Sequence, residues 1–282
     1  MEFINKNVEQ DTLYSGFHGY HDHDGQSLNM PVRNSADYMM GVELETKFPS
    51  DSDRDDWCDE CESNWFYMEA DCSLPRGGCE FITTPLAPAD AKNPKTWAPL
   101  ITALAREGVI SYQRSECGCH IHISCTAFGQ TAKEQSDAKA RLIYLYYYVL
   151  DPGVRQLVFN RPSTHYATDL ESSITPKTEA VSKLKVALKY KEVRDEVQQE
   201  LCDMTHRNRY YSINIRNAKT VEFRQGKGSL NATRIAAICE FVEACALYAR
   251  KHKDIAKYTQ EDFLSTLRED GLVKTFCLTK EK

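Results

Sequence analysis

Four stretches of the chain alternate with a period of two: GVELETKF (41–48), CHIHIS (119–124), YSINIRN (211–217) and TVEFRQG (220–226). In extended chain, successive side chains point to opposite faces of a sheet, so residues two apart share a face. Glu43 and Glu45 therefore stand together, opposite Val42 and Leu44. His120, His122 and Ser124 oppose Cys117, Cys119, Ile121 and Ile123. Ser212, Asn214 and Arg216 oppose Tyr211, Ile213 and Ile215, while Glu222 and Arg224 oppose Val221 and Phe223. A zinc site drawing on both the cysteines and the histidines of CGCHIH would need ligands from both faces of one strand, so alternation argues against it. One apolar and one polar face per strand is the pattern of a sheet packed on one side, and predicts an α+β fold with a mainly antiparallel sheet.

The remaining segments fit around these strands. Residues 1–36, with GFHGYHDHDGQS, carry no period and read as a polar extension; residues 37–282 read as one domain. FPSDSDRDDWCDECESN (48–64) reads as an acidic, turn-rich connection, and 65–86 as two short strands about a Pro/Gly turn. A helix is expected over 96–107, stopped by Gly108, and a buried one over 138–150, ended by Asp151-Pro152-Gly153. Residues 163–205 read as a charged helical insertion. The last two helical stretches carry Ile235, Ile238, Phe241, Val242 and Cys245 at helical spacing, then Thr259 and Asp262 spaced as an N-terminal cap.

A net charge of −6 and a pI near 5.8 argue against a nucleic-acid partner. No apolar run approaches the ~20 residues of a membrane span, and MEFINKNVEQ lacks the features of a signal peptide. The expectation is a cytoplasmic protein whose eleven cysteines are free thiols, metal ligands or nucleophiles rather than disulfides. Cys58-x-x-Cys61, with Cys72 and Cys79 downstream, could hold a structural zinc; this is the lesser reading, because two of the four are loosely spaced. His18, His21 and His23 with Asp22 and Asp24 read as solvated.

The polar faces point to chemistry. Two carboxylates side by side repel unless a cation lies between them. Oxygen-rich sites with an imidazole suit magnesium or manganese completed by a substrate phosphate, and arginine grips phosphate bidentately. For any one strand a solvated polar face is the plainer reading, but Glu-x-Glu, His-x-His and Glu-x-Arg pairs repeated over several strands point to metal-bridged nucleotide chemistry.

Taken in order, GVELE, DCSLPRGGCEFITTPL, CGCHIHIS and RYYSINIRNAKTVEFRQGKGSLN resemble motifs of the carboxylate–amine ligase superfamily of glutamine synthetase and γ-glutamylcysteine ligase. The match is to its branch of small amidoligases, often phage- or plasmid-borne, and covers most of residues 38–250. The resemblance implies an antiparallel sheet curved into a saddle or partial barrel, with helices behind it. It implies that Glu43, Glu45, Glu80, His120 and Glu222 ligate Mg2+ or Mn2+, and that His122 and Ser124 face ATP. Arg224 would grip the transferring phosphate, with Arg216 and Arg209 as further phosphate or carboxylate contacts, and Asp71 would touch the amine or a metal. The implied reaction is ATP-dependent amide formation through an acyl phosphate, between small-molecule or peptide carboxylates and amines. The acidic stretch 50–62 and the insertion 163–205 would be lids. A metal-dependent hydrolase or phosphotransferase using the same site, or a zinc-stabilised binding protein, are the alternatives.

Overall fold

The computed structural model describes residues 1–6, 14–18, 37–111, 117–162, 167, 182 and 211–279. The chain divides into two compact units, Met1–Ile121 with Gly226–Cys239, and His122–Gln225 with Glu240–Lys282.

The first unit contains strands β1 (Glu2–Phe3), β2 (Tyr14–Ser15), β3 (Phe17–His18) and β4 (Met40–Lys47), then helix α1 (Asp51–Glu60). Strands β5 (Glu62–Ser63), β6 (Phe66–Glu69) and β7 (Gly78–Thr83), helices α2 (Pro88–Ala91) and α3 (Pro94–Arg106), and the first half of β8 (Gly118–Ser124) follow. Its main strands lie in the order β3-β6-β7-β4-β8, and a smaller ribbon has the order β1-β5-β2. Strand β7 pairs antiparallel with β4 and β6, setting Glu80 opposite both Glu45 and Glu69, and Ile82 opposite both Glu43 and Tyr67. On the other face Leu44, Phe81 and Met68 share a row and are buried. They join an aromatic core in which Trp57 meets Phe3, Phe48 and Phe81 at ring-centroid distances of 6.0, 5.8 and 5.6 Å.

Two expectations are corrected here. The acidic stretch after β4 is helix α1, not a connection: Ser50 caps it, its side chain accepting from the Asp53 amide, and Asp51 and Asp53 complement the helix N-terminus. Only Trp57 and Cys58 are buried within it, so no apolar stripe announces the helix, and these buried anchors do not suit the lid expected of 50–62. The N-terminal stretch is not wholly an extension either. Its two-residue strands β1 and β2 pair with β5, β3 pairs parallel with β6, and Phe3 is buried. Strands this short are too brief for alternation to show.

The second unit begins with the end of β8 and a 3-10 turn over Cys125–Phe128. Helix α4 (Ala132–Tyr144), started by a Thr131/Glu134 capping box, continues into a π-helical turn over Leu145–Val149. Asp151, expected only to end that helix, caps a further helix, α5 (Pro152–Phe159), by accepting from the Gly153 amide. Strands β9 (Ile213–Asn214) and β10 (Thr220–Lys227) form the expected hairpin, with Glu222 opposite Asn214 and Phe223 opposite Ile213. Helix α6 (Ala232–Lys251), whose residues up to Cys239 belong to the first unit, buries Ile235, Ile238, Phe241, Val242 and Cys245 as its period predicts. Helix α7 (Gln260–Thr266) has the Thr259 cap accepting from the Asp262 amide. Within this unit the core runs through Tyr146, Phe159, Phe223, Phe241 and Phe263, so the tyrosine run is packing as expected.

The result is an α+β fold with a mainly antiparallel sheet, and the strand series does not close on itself among the described residues. No helix among them is long and apolar enough to cross a membrane. Of the insertion 163–205 only Ala167 and Ser182 are described. Arg209, and His21, His23, Asp22 and Asp24, also lie outside the described residues.

Candidate active site

The alternation read in the sequence holds along β4, β8 and β10, whereas before β9 Ser212 is buried and Tyr211 only half-buried. Val42, Leu44, Cys117, Cys119, Ile121, Ile123, Val221 and Phe223 are all buried in the core. The polar face of the first unit carries Glu43 and Glu45 on β4, Glu80 on β7 and His120 on β8. It is far from solvated, since Glu45, Glu80 and His120 are each only 5 % exposed.

His120 stands between the two β4 carboxylates. Its Nδ1 lies 3.2 Å from Glu43 Oε2 and its Nε2 lies 3.6 Å from Glu45 Oε1. The Gly118 amide donates to Glu45 Oε2, which fixes that carboxylate from the strand carrying the histidine. Glycine is required there by the close approach of both groups. A Cβ at 118 would stand 2.7 Å from His120 Nε2 and 3.3 Å from Glu45 Oε2.

Asp71 comes from the turn between β6 and β7, where its carboxylate accepts from the Ser73 amide at 2.6 Å. Ligand atoms of Glu45, Asp71 and Glu80 lie within 4.8 Å of one another, and so do those of Glu43, Glu80 and His120. Glu80 is common to both groups. Burial, and then the charges of Glu43, Glu45, Asp71 and Glu69, push the Glu80 carboxyl well above its ordinary range. Carboxylates crowded out of water are costly unless protons or cations offset them.

Two neighbours on this face escaped the sequence reading. Glu69 on β6 is 2 % exposed and continues the row Glu45–Glu80–Glu69, where His18 is its register partner on β3. Tyr67 shares its face, and burial with the Glu69, Glu43 and Glu80 charges holds its phenol well above the usual range, so it stays protonated. In FYME all four residues are buried, so the polar face is hidden in the pattern; the signal is the position of Glu69 two residues before Asp71.

In the second unit, Glu222 and Arg224 share a face of β10 and form an ion pair, and Asn214 Nδ2 donates to Glu222 Oε2 at 2.9 Å. His122 Nδ1 is 3.3 Å from Thr220 Oγ1. Ser124 ends β8 and is half-buried. Arg216 is exposed just beyond β9, its amide donating to Asn214 Oδ1. Thus Glu43, Glu45, Asp71, Glu80 and His120 come together in one unit, and Glu222, Arg224 and Asn214 in the other.

Cys58 and Cys61 at the end of α1 are buried, as is Cys79, whose thiol donates to the Glu80 carbonyl at 3.9 Å. Burial first, then the neighbouring Cys58, pushes the Cys61 thiol up to about 12. The Cys61 thiol is therefore protonated at neutral pH.

No curated protein matches the sequence significantly. Among solved structures, one titled "Apo GmaS without ligand" is similar over 76% of this chain at 12% identity with a TM-score of 0.41. The chain spans about half, 54%, of that protein's length. A family model described as "Putative amidoligase enzyme" matches residues 50–246, which include Asp71, Glu80, His120, His122, Glu222 and Arg224, while Glu43 and Glu45 stand just before the matched segment. That match covers well over half of the chain, and the protein belongs to this amidoligase family.

Proposed function

We propose that the protein is an ATP-dependent carboxylate–amine ligase that forms amides through an acyl phosphate, releasing ADP and phosphate. The observation that carries the reading is the convergence of Glu43, Glu45, Asp71, Glu80 and His120 on one buried face. That donor set fits hard divalent cations. Ligands at about 2.1 Å from an octahedral Mg2+ are roughly 3–4.2 Å apart, compatible with ligand atoms gathered within 4.8 Å. The two groups sharing Glu80 suit two ion positions. Bound there, Mg2+ or Mn2+ would offset charge on phosphate oxygens during transfer.

The chain's own groups would do the rest. The Gly118 amide holds Glu45, and Glu43 orients His120, so the ligands are set before nucleotide arrives. Glu222 would complete the ligand set, and Arg224 beside it would grip the transferring phosphate. His122 and Ser124, with Arg216 and Arg209 beyond, would face the nucleotide and substrate carboxylate. Asp71 would meet the incoming amine or a metal. Saddle-like curvature of the sheet, as the resemblance implies, would gather these groups and exclude the water that hydrolyses acyl phosphates. Small-molecule or peptide carboxylates and amines are the substrates, in the reducing, ATP-containing cytoplasm.

The test is thermal melting with Mg2+ and ATP, together and apart, followed by ADP release with and without carboxylic acids. Stabilisation by Mg2+ that grows when ATP is added, with ADP appearing only when an acid is supplied, is expected. A melting curve indifferent to metal and nucleotide would sink the reading.

A further inference from the structure

We propose that Gln225 is a positioning residue for Arg224: on the ligase reading, in which Arg224 grips the transferring phosphate, Gln225 holds the backbone from which that arginine reaches. Strand β10 alternates, so Gln225 stands on the core face with Val221 and Phe223, while Glu222 and Arg224 stand on the other. It is 1 % exposed, a polar side chain where the pattern calls for an apolar one. Burying an amide is costly unless its groups are paired, and both ends of this one are. Its Oε1 accepts from the Tyr146 hydroxyl, and its Nε2 donates to the Arg161 carbonyl at 3.0 Å.

Both partners are themselves held in place. Tyr146 lies in the π-helical turn Leu145–Val149, where Tyr147 also reaches the hairpin, its hydroxyl accepting from the Ile213 amide at 3.0 Å. The buried Arg155 guanidinium lies over the Tyr146 ring, 4.8 Å from its centroid. Arg161 follows Asn160, which ends α5 in the left-handed conformation at φ 55°, and is buried against β10. Its Nη2 reaches the Arg224 carbonyl at 3.5 Å, while the Arg224 amide donates to the Ser212 carbonyl at 2.8 Å. The Arg224–Gln225 segment is thus fastened from β9, from the π-turn and from the end of α5.

The Arg224 side chain has its ion pair with Glu222, and its Nε is buried with no hydrogen bond among the described residues. One ion pair leaves the direction of a long side chain largely to its backbone. A displacement of about 1 Å is enough to spoil a phosphate-gripping group, so a rigid backbone there has a chemical use. Packing alone would be served better by leucine or methionine, which bring no polar group to satisfy.

The test is calorimetric titration of the full chain with two probes, Mg2+ with adenylyl imidodiphosphate and Mg2+ with ADP. They differ by the phosphoryl group that Arg224 would grip. Circular dichroism and thermal melting establish that each variant is folded. Arg224→Ala should lower affinity for the triphosphate analogue relative to ADP by at least about tenfold. Gln225→Met, apolar and of similar volume, should lower it by at least about fivefold and leave ADP affinity within about twofold. Tyr146→Phe, which removes one hydroxyl, should shift it the same way by at least about threefold, and carries the comparison should Gln225→Met not fold. In an Arg224→Ala background Gln225→Met should add less than about twofold, because its effect passes through the arginine. Wild-type binding of the analogue by Gln225→Met, with Arg224→Ala impaired, overturns the proposal and leaves the ligase reading standing. Equal weakening of both nucleotides, or losses that add fully in the double variant, also overturns it and marks Gln225 as packing. An Arg224→Ala variant that binds both as wild type does, or a wild type that binds neither, overturns it together with the role of Arg224 on which it rests.

Discussion

Replacing Glu80 by glutamine should stabilise the metal-free protein while removing most of its response to magnesium. Glu80 is 5 % exposed, faces Glu45 and Glu69 across the sheet, and lies in both groups of clustered ligand atoms. Two unit charges 4.8 Å apart repel by about 3.5 kcal/mol at an effective dielectric near 20. Several such pairs converge on Glu80, and partial protonation already relieves some of them. Deleting its charge in an isosteric side chain should therefore gain roughly 1–3 kcal/mol at pH 8 in chelator. Each kcal/mol corresponds to about 2–4 °C in melting temperature for a chain of this size.

The pH dependence has a definite sign. Burial and its acidic neighbours raise the Glu80 carboxyl above its ordinary 4.5. Its contribution to stability is full below that value and is lost as pH rises through the raised one. Metal-free wild type should lose stability on going from about pH 5 to pH 8, and Glu80→Gln should lose less. Adding Mg2+ at pH 8 should raise the wild-type melting temperature and leave the variant nearly unmoved. The reasoning fails if Glu80→Gln is no more stable than wild type in chelator. It fails equally if Mg2+ stabilises both to the same extent.

Gly118→Ala would press a methyl group against His120 Nε2 and Glu45 Oε2, so Mn2+ affinity, read by electron paramagnetic resonance, should fall by at least about tenfold with the fold retained. Arg224→Ala should lower turnover by about a hundredfold or more at little cost in stability, and Arg224→Lys should rescue only part of it; near-normal activity of the alanine variant would remove Arg224 from the site. Trp57→Ala empties the centre of the first unit's aromatic core and should cost about 3–5 kcal/mol by urea denaturation, which would establish α1 as a packed element rather than a lid.

Much of the candidate face was legible in the sequence because strand alternation is a strict geometric rule. GVELETKF and CHIHIS could be sorted into core and chemistry residue by residue, and the structure puts Cys117 and Cys119 in the core as that sorting requires. Elements lacking a periodic apolar signal were harder to read. Helix α1 is held by a serine cap, acidic first-turn residues and one tryptophan, none of which makes a stripe. Strands β1 to β3 are two residues each, and their pairing partners are distant in sequence. Glu69 was hidden because its importance comes from register: only pairing of β6 with β7 places it beside Glu80. Asp151 was read as a stop signal although an Asp-Pro pair serves equally well to start the next helix.

The central claim is that ATP turnover here is coupled to amide formation. Incubating the protein with ATP, Mg2+ and an extract of metabolites and peptides, followed by mass spectrometry, tests it most directly. The account predicts products one water lighter than the sum of a carboxylic acid and an amine, formed in step with ADP and absent with Glu45→Gln. Hydrolysis of ATP with no condensation product, or products equally abundant with Glu45→Gln, would contradict it.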